Sequence, residues 1–226
     1  MKREYWYVLI VYLAMQLSGV VGVPLLLLLG ENVLNWVPDS AIAYASGYWG
    51  LISFLLALLI ILRILRHDQQ LVRAEQPAIQ GFSVIVWSVF GVILAFMSQY
   101  VAISIETAIG IPSGSANTQN ILTVIELVPL FLLVSSIFGP ILEEIVFRKV
   151  IFGEIYKRTN FLIAGIMSAL IFATAHNDFP HLILYTSMGF AFAYLYVKTN
   201  RILVPILAHV AMNSLVVLVQ QVYQPT

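Results

Sequence analysis

The sequence contains no cysteine in 226 residues. That excludes thiol nucleophiles, disulfides and thiolate metal centres. It is also poor in charge, with 10% Asp, Glu, Lys and Arg where a soluble domain carries about 25%. The formal net charge is zero, so no basic surface suggests a nucleic-acid partner. There is no internal repeat and no second soluble domain. The alternating pattern of an outer-membrane barrel is missing as well.

What the chain has instead is apolar length. Hydrophobic residues make up 61%, and the mean hydropathy is +0.94. Stretches free of Asp, Glu, Lys and Arg cover residues 5–30, 40–62, 76–105, 107–125, 127–142, 159–177, 179–197 and 202–226. A spanning helix needs about 20 mostly apolar residues, and a bilayer obliges every backbone group to pair internally. The expected fold is all-α: a polytopic membrane helix bundle of about 8 helices, near 5–29, 45–65, 81–104, 120–137, 139–157, 161–177, 181–198 and 202–222. Lys2 and Arg3 before an apolar run imitate a signal peptide, but the run to Gly30 is too long and no Ala-x-Ala site follows, so residues 5–29 read as a retained span. Gly139-Pro140 is expected to end one helix and open the next.

The positive charges conflict over sidedness. Lys2, Arg3, Arg66 and Arg73 form one group of inside residues, and Lys157, Arg158, Lys198 and Arg201 form another. Eight full crossings cannot put both groups on one side. Residues 120–137 carry Glu126 and Pro129, and a bent or re-entrant segment there, leaving 7 crossings, removes the conflict.

Ionisable groups inside spans are costly and usually face the protein interior. Here they are Glu126, Glu143, Glu144, Arg148, His176 and His209, with Asn213 as a further buried amide. Glu144 and Arg148 are four apart on a helix, in the better order for an ion pair. Glu143 is rotated about 100° from Glu144 and so points away from that pair. A carboxylate without a full counter-ion in a low-dielectric site is prepared for acid or base work.

Depth along the helices says what Glu143 meets. It sits about 23 Å before the turn near Arg158–Asn160, and His176 lies at nearly the same depth after it. The last helix starts at that same end, so His209 lies about 12 Å in and Asn213 about 18 Å in, on one face. Phe172, one turn from His176, is placed to wall the site against lipid. The plain reading of each residue alone is structural. A lone membrane histidine is more often a hydrogen-bond partner than a catalyst, and Glu144–Arg148 reads as a structural pair. Glu126 has no partner at helical spacing. His181 reads as a helix-start or surface residue, and His67 lies in a polar loop. It is the shared depth of Glu143, His176, His209 and Asn213 that favours a site.

Three segments, "EEIVFR" (Glu143 to Arg148), "FATAH" (Phe172 to His176) and "HVAMN" (His209 to Asn213), together resemble the CAAX protease and bacteriocin-processing family, also called the Abi family. The resemblance divides the chain into N-terminal membrane helices over 1–105 and a catalytic helix core over 106–226. It implies an intramembrane endopeptidase related to type II CAAX prenyl endopeptidase, in a bacterial cytoplasmic membrane, acting on a peptide or protein substrate at the bilayer. Glu143 and His176 would activate water, His209 and Asn213 would stabilise the oxyanion, and Glu144, Arg148 and Phe172 would hold the site in shape. No cofactor is implied. One alternative is a zinc hydrolase with Glu143, His176 and His209 as ligands. The sequence lacks His-Glu-x-x-His, places Asp178 as the nearest acid beside His176 and shows none near His209. The others are a bacteriocin-immunity or scaffold protein without catalysis, and a transporter or proton relay.

Overall fold

The computed structural model describes residues 1–68, 72 and 76–223, without the side chains of 221–223. Arg73, one of the basic residues used above, lies outside the described residues. All regular structure among them is helical. The helices are α1 (Arg3–Asn32), α2 (Pro38–Leu65), α3 (Phe82–Ala108), α4 (Ala116–Leu127), α5 (Pro129–Tyr156), α6 (Phe161–Ala175), α7 (Leu182–Thr199) and α8 (Leu203–Tyr223). Five of them, α1, α2, α3, α5 and α8, are long and apolar enough to cross a membrane. The chain is a multi-pass integral membrane protein.

Two expected boundaries move, and both movements come from proline. The expected helix 120–137 is broken at Val128, whose φ of −129° and ψ of 80° reflect the extended preference of a residue before proline. Gly139-Pro140 does not break the chain. Upstream of it, Val134–Phe138 widens into a π-helical turn, with Gly139 N–H donating to the Val134 carbonyl. That wider turn accommodates a proline that has no N–H to donate, so α5 runs on through it. A second π-helical stretch follows at Glu144–Phe152.

The helices form two compact units. One comprises Met1–Asp68 and Thr118–Leu142, the other Gln69–Asn117 and Glu143–Thr226. In the first, α1 and α2 pack as a hairpin. Gly22 leaves room for the Trp49 ring, and Trp49 Nε1 donates to Ser18 Oγ at 3.0 Å.

In the second unit α7 is central, packed by α3, α6, α8 and the π-helical stretch. Small residues allow the close approach expected between membrane helices. A Cβ on Gly189 would sit 2.9 Å from the Ala169 Cβ and 3.3 Å from the Phe172 ring. Helix α6 shows the division cleanly. Ala164, Gly165, Ser168, Ala169, Phe172 and Ala173 are buried, while Leu162, Ile163, Ile166, Met167, Leu170 and Ile171 are exposed as a lipid-facing side. Asn160 caps its start, accepting from Ile163 N–H at 3.0 Å.

One end of this unit gathers basic loops. Ile79 N–H donates to the Thr199 carbonyl at 3.1 Å, and Arg201 Nη1 donates to the Ile79 carbonyl at 3.0 Å. Beneath them Phe152, Ala164, Ala193 and Tyr196 form an apolar cluster. Helix α4, with 12 residues, rises only about 18 Å, short of the roughly 30 Å of a hydrocarbon core. It is therefore too short to count as a crossing by itself.

Candidate active site

The π-helical stretch of α5 carries Glu144 and Arg148, and Glu143 ends the α-helical turn just before it. Glu144 and Arg148 are both essentially without solvent exposure. Arg148 Nη1 stands 3.2 Å from Glu144 Oε1. The guanidinium also lies over the Phe172 ring at 4.2 Å and over Phe192 at 5.4 Å, so a desolvated cation gains aromatic faces as well as a carboxylate. Ser168 on α6 donates to the Phe147 carbonyl at 2.7 Å, tying α6 to the widened helix. Phe147 and Phe172 meet edge to face at 5.2 Å.

His209 on α8 sits between the two glutamates. Its Nδ1 is 2.8 Å from Glu144 Oε1, and its Nε2 is 3.8 Å from Glu143 Oε2. A carboxylate can only accept, so Nδ1–H donates to Glu144 and the ring presents Nε2 toward Glu143. The second distance is outside hydrogen-bond range. The Glu143 side chain keeps 19% of its surface exposed, against 0% for Glu144. Adjacent glutamates thus have different surroundings, one locked and one accessible.

His176 caps the C-terminal end of α6 and is half-buried. Its Nδ1–H donates to the Phe172 carbonyl at 2.8 Å. Glu143, His209 and Arg148 all lie within electrostatic reach of its ring. Phe172 joins the parts: besides Arg148, its ring meets His176 at 4.5 Å and His209 at 6.2 Å. Asn213 is half-buried one turn beyond His209 on α8. The residues read from the sequence as one site therefore belong to one unit, and Glu143, Glu144, Arg148, Phe172, His176 and His209 are brought together. Glu126 is exposed on α4.

Three readings change. His181 does stand at a helix start, as the N-cap of α7, but it is buried and not at the surface: it bonds Glu106, a carboxylate that falls at the edge of an apolar run and gives no helical-spacing signal. Asp178 accepts from Ser115 at 2.7 Å and does not serve His176. His209 does have an acidic neighbour, Glu144, which lies 65 positions away in sequence and is visible only once α5 and α8 pack. Two aromatic contacts were also missed. Phe192 stacks on His209 at 4.6 Å and Tyr185 on His176 at 4.1 Å. Both sit on α7, a helix rich in aromatic residues, and nothing in its sequence marks these two.

With Nδ1 of each histidine held, the imidazoles have the outer support that zinc ligands usually have. The donor set itself does not converge: among the described residues no three His, Cys, Asp or Glu side chains are grouped closely enough to hold a metal ion.

Residues 125–215 match the family model of type II CAAX prenyl endopeptidase Rce1-like proteins. Across nearly the whole chain, a Bacillus subtilis protein named as a membrane peptidase, YdiL, is 46% identical over 222 residues, 97% of this chain and 90% of the relative. The chain belongs to the Rce1-like CAAX protease family. The membrane-embedded CAAX protease MroQ of Staphylococcus aureus is 38% identical over 184 residues, 76% of this chain and 73% of that one. No solved structure matches. As a member of the Rce1-like family the chain is a membrane protease of bacterial type, with lipid as its surroundings and a peptide as its substrate.

Proposed function

We propose that the protein is an intramembrane endopeptidase of the glutamate type, hydrolysing a membrane-associated peptide or protein. The observation that carries this is the division between the two glutamates: Glu144 is locked by Arg148 and His209, while Glu143 is partly exposed, 3.8 Å from His209 and within electrostatic reach of His176. Glu143 takes a proton from water as the oxygen attacks the scissile carbonyl, and later returns it to the leaving amine. His176, whose Nδ1–H is held by the Phe172 carbonyl, offers the lone pair of Nε2 to the same water.

The oxyanion falls to His209 and Asn213. Because His209 gives Nδ1–H to Glu144, Nε2 donates only when the ring is an imidazolium. Glu144 Oε1 lies at its Nδ1 and Glu143 Oε2 on the side of its Nε2. Asn213 contributes an amide N–H donor.

The test compares membrane peptides from cells expressing wild type and Glu143→Gln. A substrate that accumulates uncut with the variant, and is cut by purified wild type in detergent, supports the reading. Identical peptide sets from the two membranes, with both proteins inserted, would overturn it.

A further inference from the structure

A second polar network lies behind His176. Ser115 Oγ donates to Asp178 Oδ2 at 2.7 Å and meets the Tyr185 hydroxyl at 2.9 Å. Asn117 Nδ2 donates to that hydroxyl at 3.4 Å. The segment that carries Ser115 and Asn117 is itself anchored. His181 bonds Glu106 Oε2 through Nδ1 at 2.8 Å and the Gly114 carbonyl through Nε2 at 3.2 Å, and Leu184 N–H donates to Glu106 Oε1 at 2.9 Å. Gly114 has φ 112°, a conformation open to glycine, and this turns its carbonyl toward His181.

The network ends on the His176 ring. Tyr185 stacks on it with centroids 4.1 Å apart and planes at 27°, while the Phe172 edge meets it at 4.5 Å and the Phe172 carbonyl takes its Nδ1–H. We propose that Tyr185 is a positioning residue for His176, and that the Gly114–Asn117 segment sets it through the tyrosine hydroxyl. The proposal rests on His176 binding the water in the mechanism above. Packing alone would be served by phenylalanine. A buried tyrosine hydroxyl needs partners, and these come from a segment outside the α5–α8 cluster. The stack fixes the plane of the imidazole and so the direction of the Nε2 lone pair.

The experiment uses the full-length protein in detergent micelles. The chain has four histidines, so their ring resonances are assigned by single substitution. The Tyr185 face should move the His176 ring protons upfield. Tyr185→Leu should abolish that displacement and Tyr185→Phe should keep it. On the peptide that accumulates in Glu143→Gln membranes, Tyr185→Leu should lower turnover by about 100-fold, the scale of an ångström of misplacement, with KM unchanged. Tyr185→Phe and Ser115→Ala should each lose less, and the double variant should lose no more than either. This pair decides the matter if Tyr185→Leu fails to fold. His176 resonances unmoved by Tyr185→Leu, or losses that simply add in the double variant, would overturn the proposal. Full turnover by His176→Ala would instead remove the catalytic reading beneath it, with the resonances still deciding where the ring lies.

Discussion

Glu144 Oε1 receives both a guanidinium and an imidazole: Arg148 Nη1 at 3.2 Å and His209 Nδ1 at 2.8 Å. The adjacent Glu143 faces the other nitrogen of the same imidazole at 3.8 Å. One histidine thus lies between a buried carboxylate and a partly exposed one, and the two glutamates should answer differently to substitution.

Glu143→Gln should abolish cleavage and leave folding and insertion intact. Glutamine fills the same volume, and its amide cannot take the proton of the attacking water. Turnover of the purified variant, beside its thermal unfolding curve, checks this. Wild-type turnover would remove Glu143 from the mechanism.

Glu144→Ala should instead lower stability. It leaves Arg148 without its carboxylate in a site closed to solvent, and breaking a buried pair costs about 3–5 kcal/mol. Arg148→Ala should do the same. The double variant should recover part of the loss, because no lone charge remains. Unfolding in detergent for the two singles and the double measures the coupling.

His209→Ala and Asn213→Ala should each slow turnover by about 100- to 1,000-fold with little change in KM, as expected for donors that act mainly in the transition state. Steady-state kinetics on a cleaved peptide separates the two parameters. A raised KM at full turnover would make either residue a substrate contact.

Stability should fall as pH rises through the titration of His181. Burial acts to lower its affinity for protons, but the Glu106 bond and the nearby Asp178 charge outweigh that and raise it above the ordinary histidine value. A group that binds its proton more tightly when folded contributes stability in full below its unfolded value of about 6.5, and loses it as pH passes the folded value. Both ring nitrogens face acceptors, Glu106 and the Gly114 carbonyl, so the bonded form is the imidazolium. The midpoint of thermal unfolding should decline above that range in wild type, with a flatter profile in Glu106→Gln.

Chelation should leave cleavage unchanged. We propose a metal-free reaction because the candidate ligands do not converge among the described residues and because Asn213 suits an anion better than a metal. Purified protein is treated with a strong chelator, dialysed and assayed, with elemental analysis of the same sample. Activity lost and then restored by one equivalent of zinc would replace the glutamate mechanism with a zinc one.

The sequence by itself determined the membrane class and the helical architecture, and it singled out the charged residues that the packing groups around His209. Apolar length allows only helices or closed barrels in lipid, and scarce charges in such a chain stand out. Helical spacing was enough to pair Glu144 with Arg148 and to set Glu143 apart, because neighbours on one helix are fixed by its own geometry. Depth counting brought His176 and His209 to Glu143, because an antiparallel hairpin measures both helices from one turn. Tertiary structure decided the rest. Proline at 140 was absorbed by a π-helical turn and proline at 129 was not, a difference of backbone context that residue type does not carry. Glu144 met His209 across 65 positions, and Glu106 met His181 across 75. Phe192 and Tyr185 became the faces on which the two histidines rest. These contacts join different helices, and their register depends on which small residues let the helices approach, so no periodicity along the chain records them.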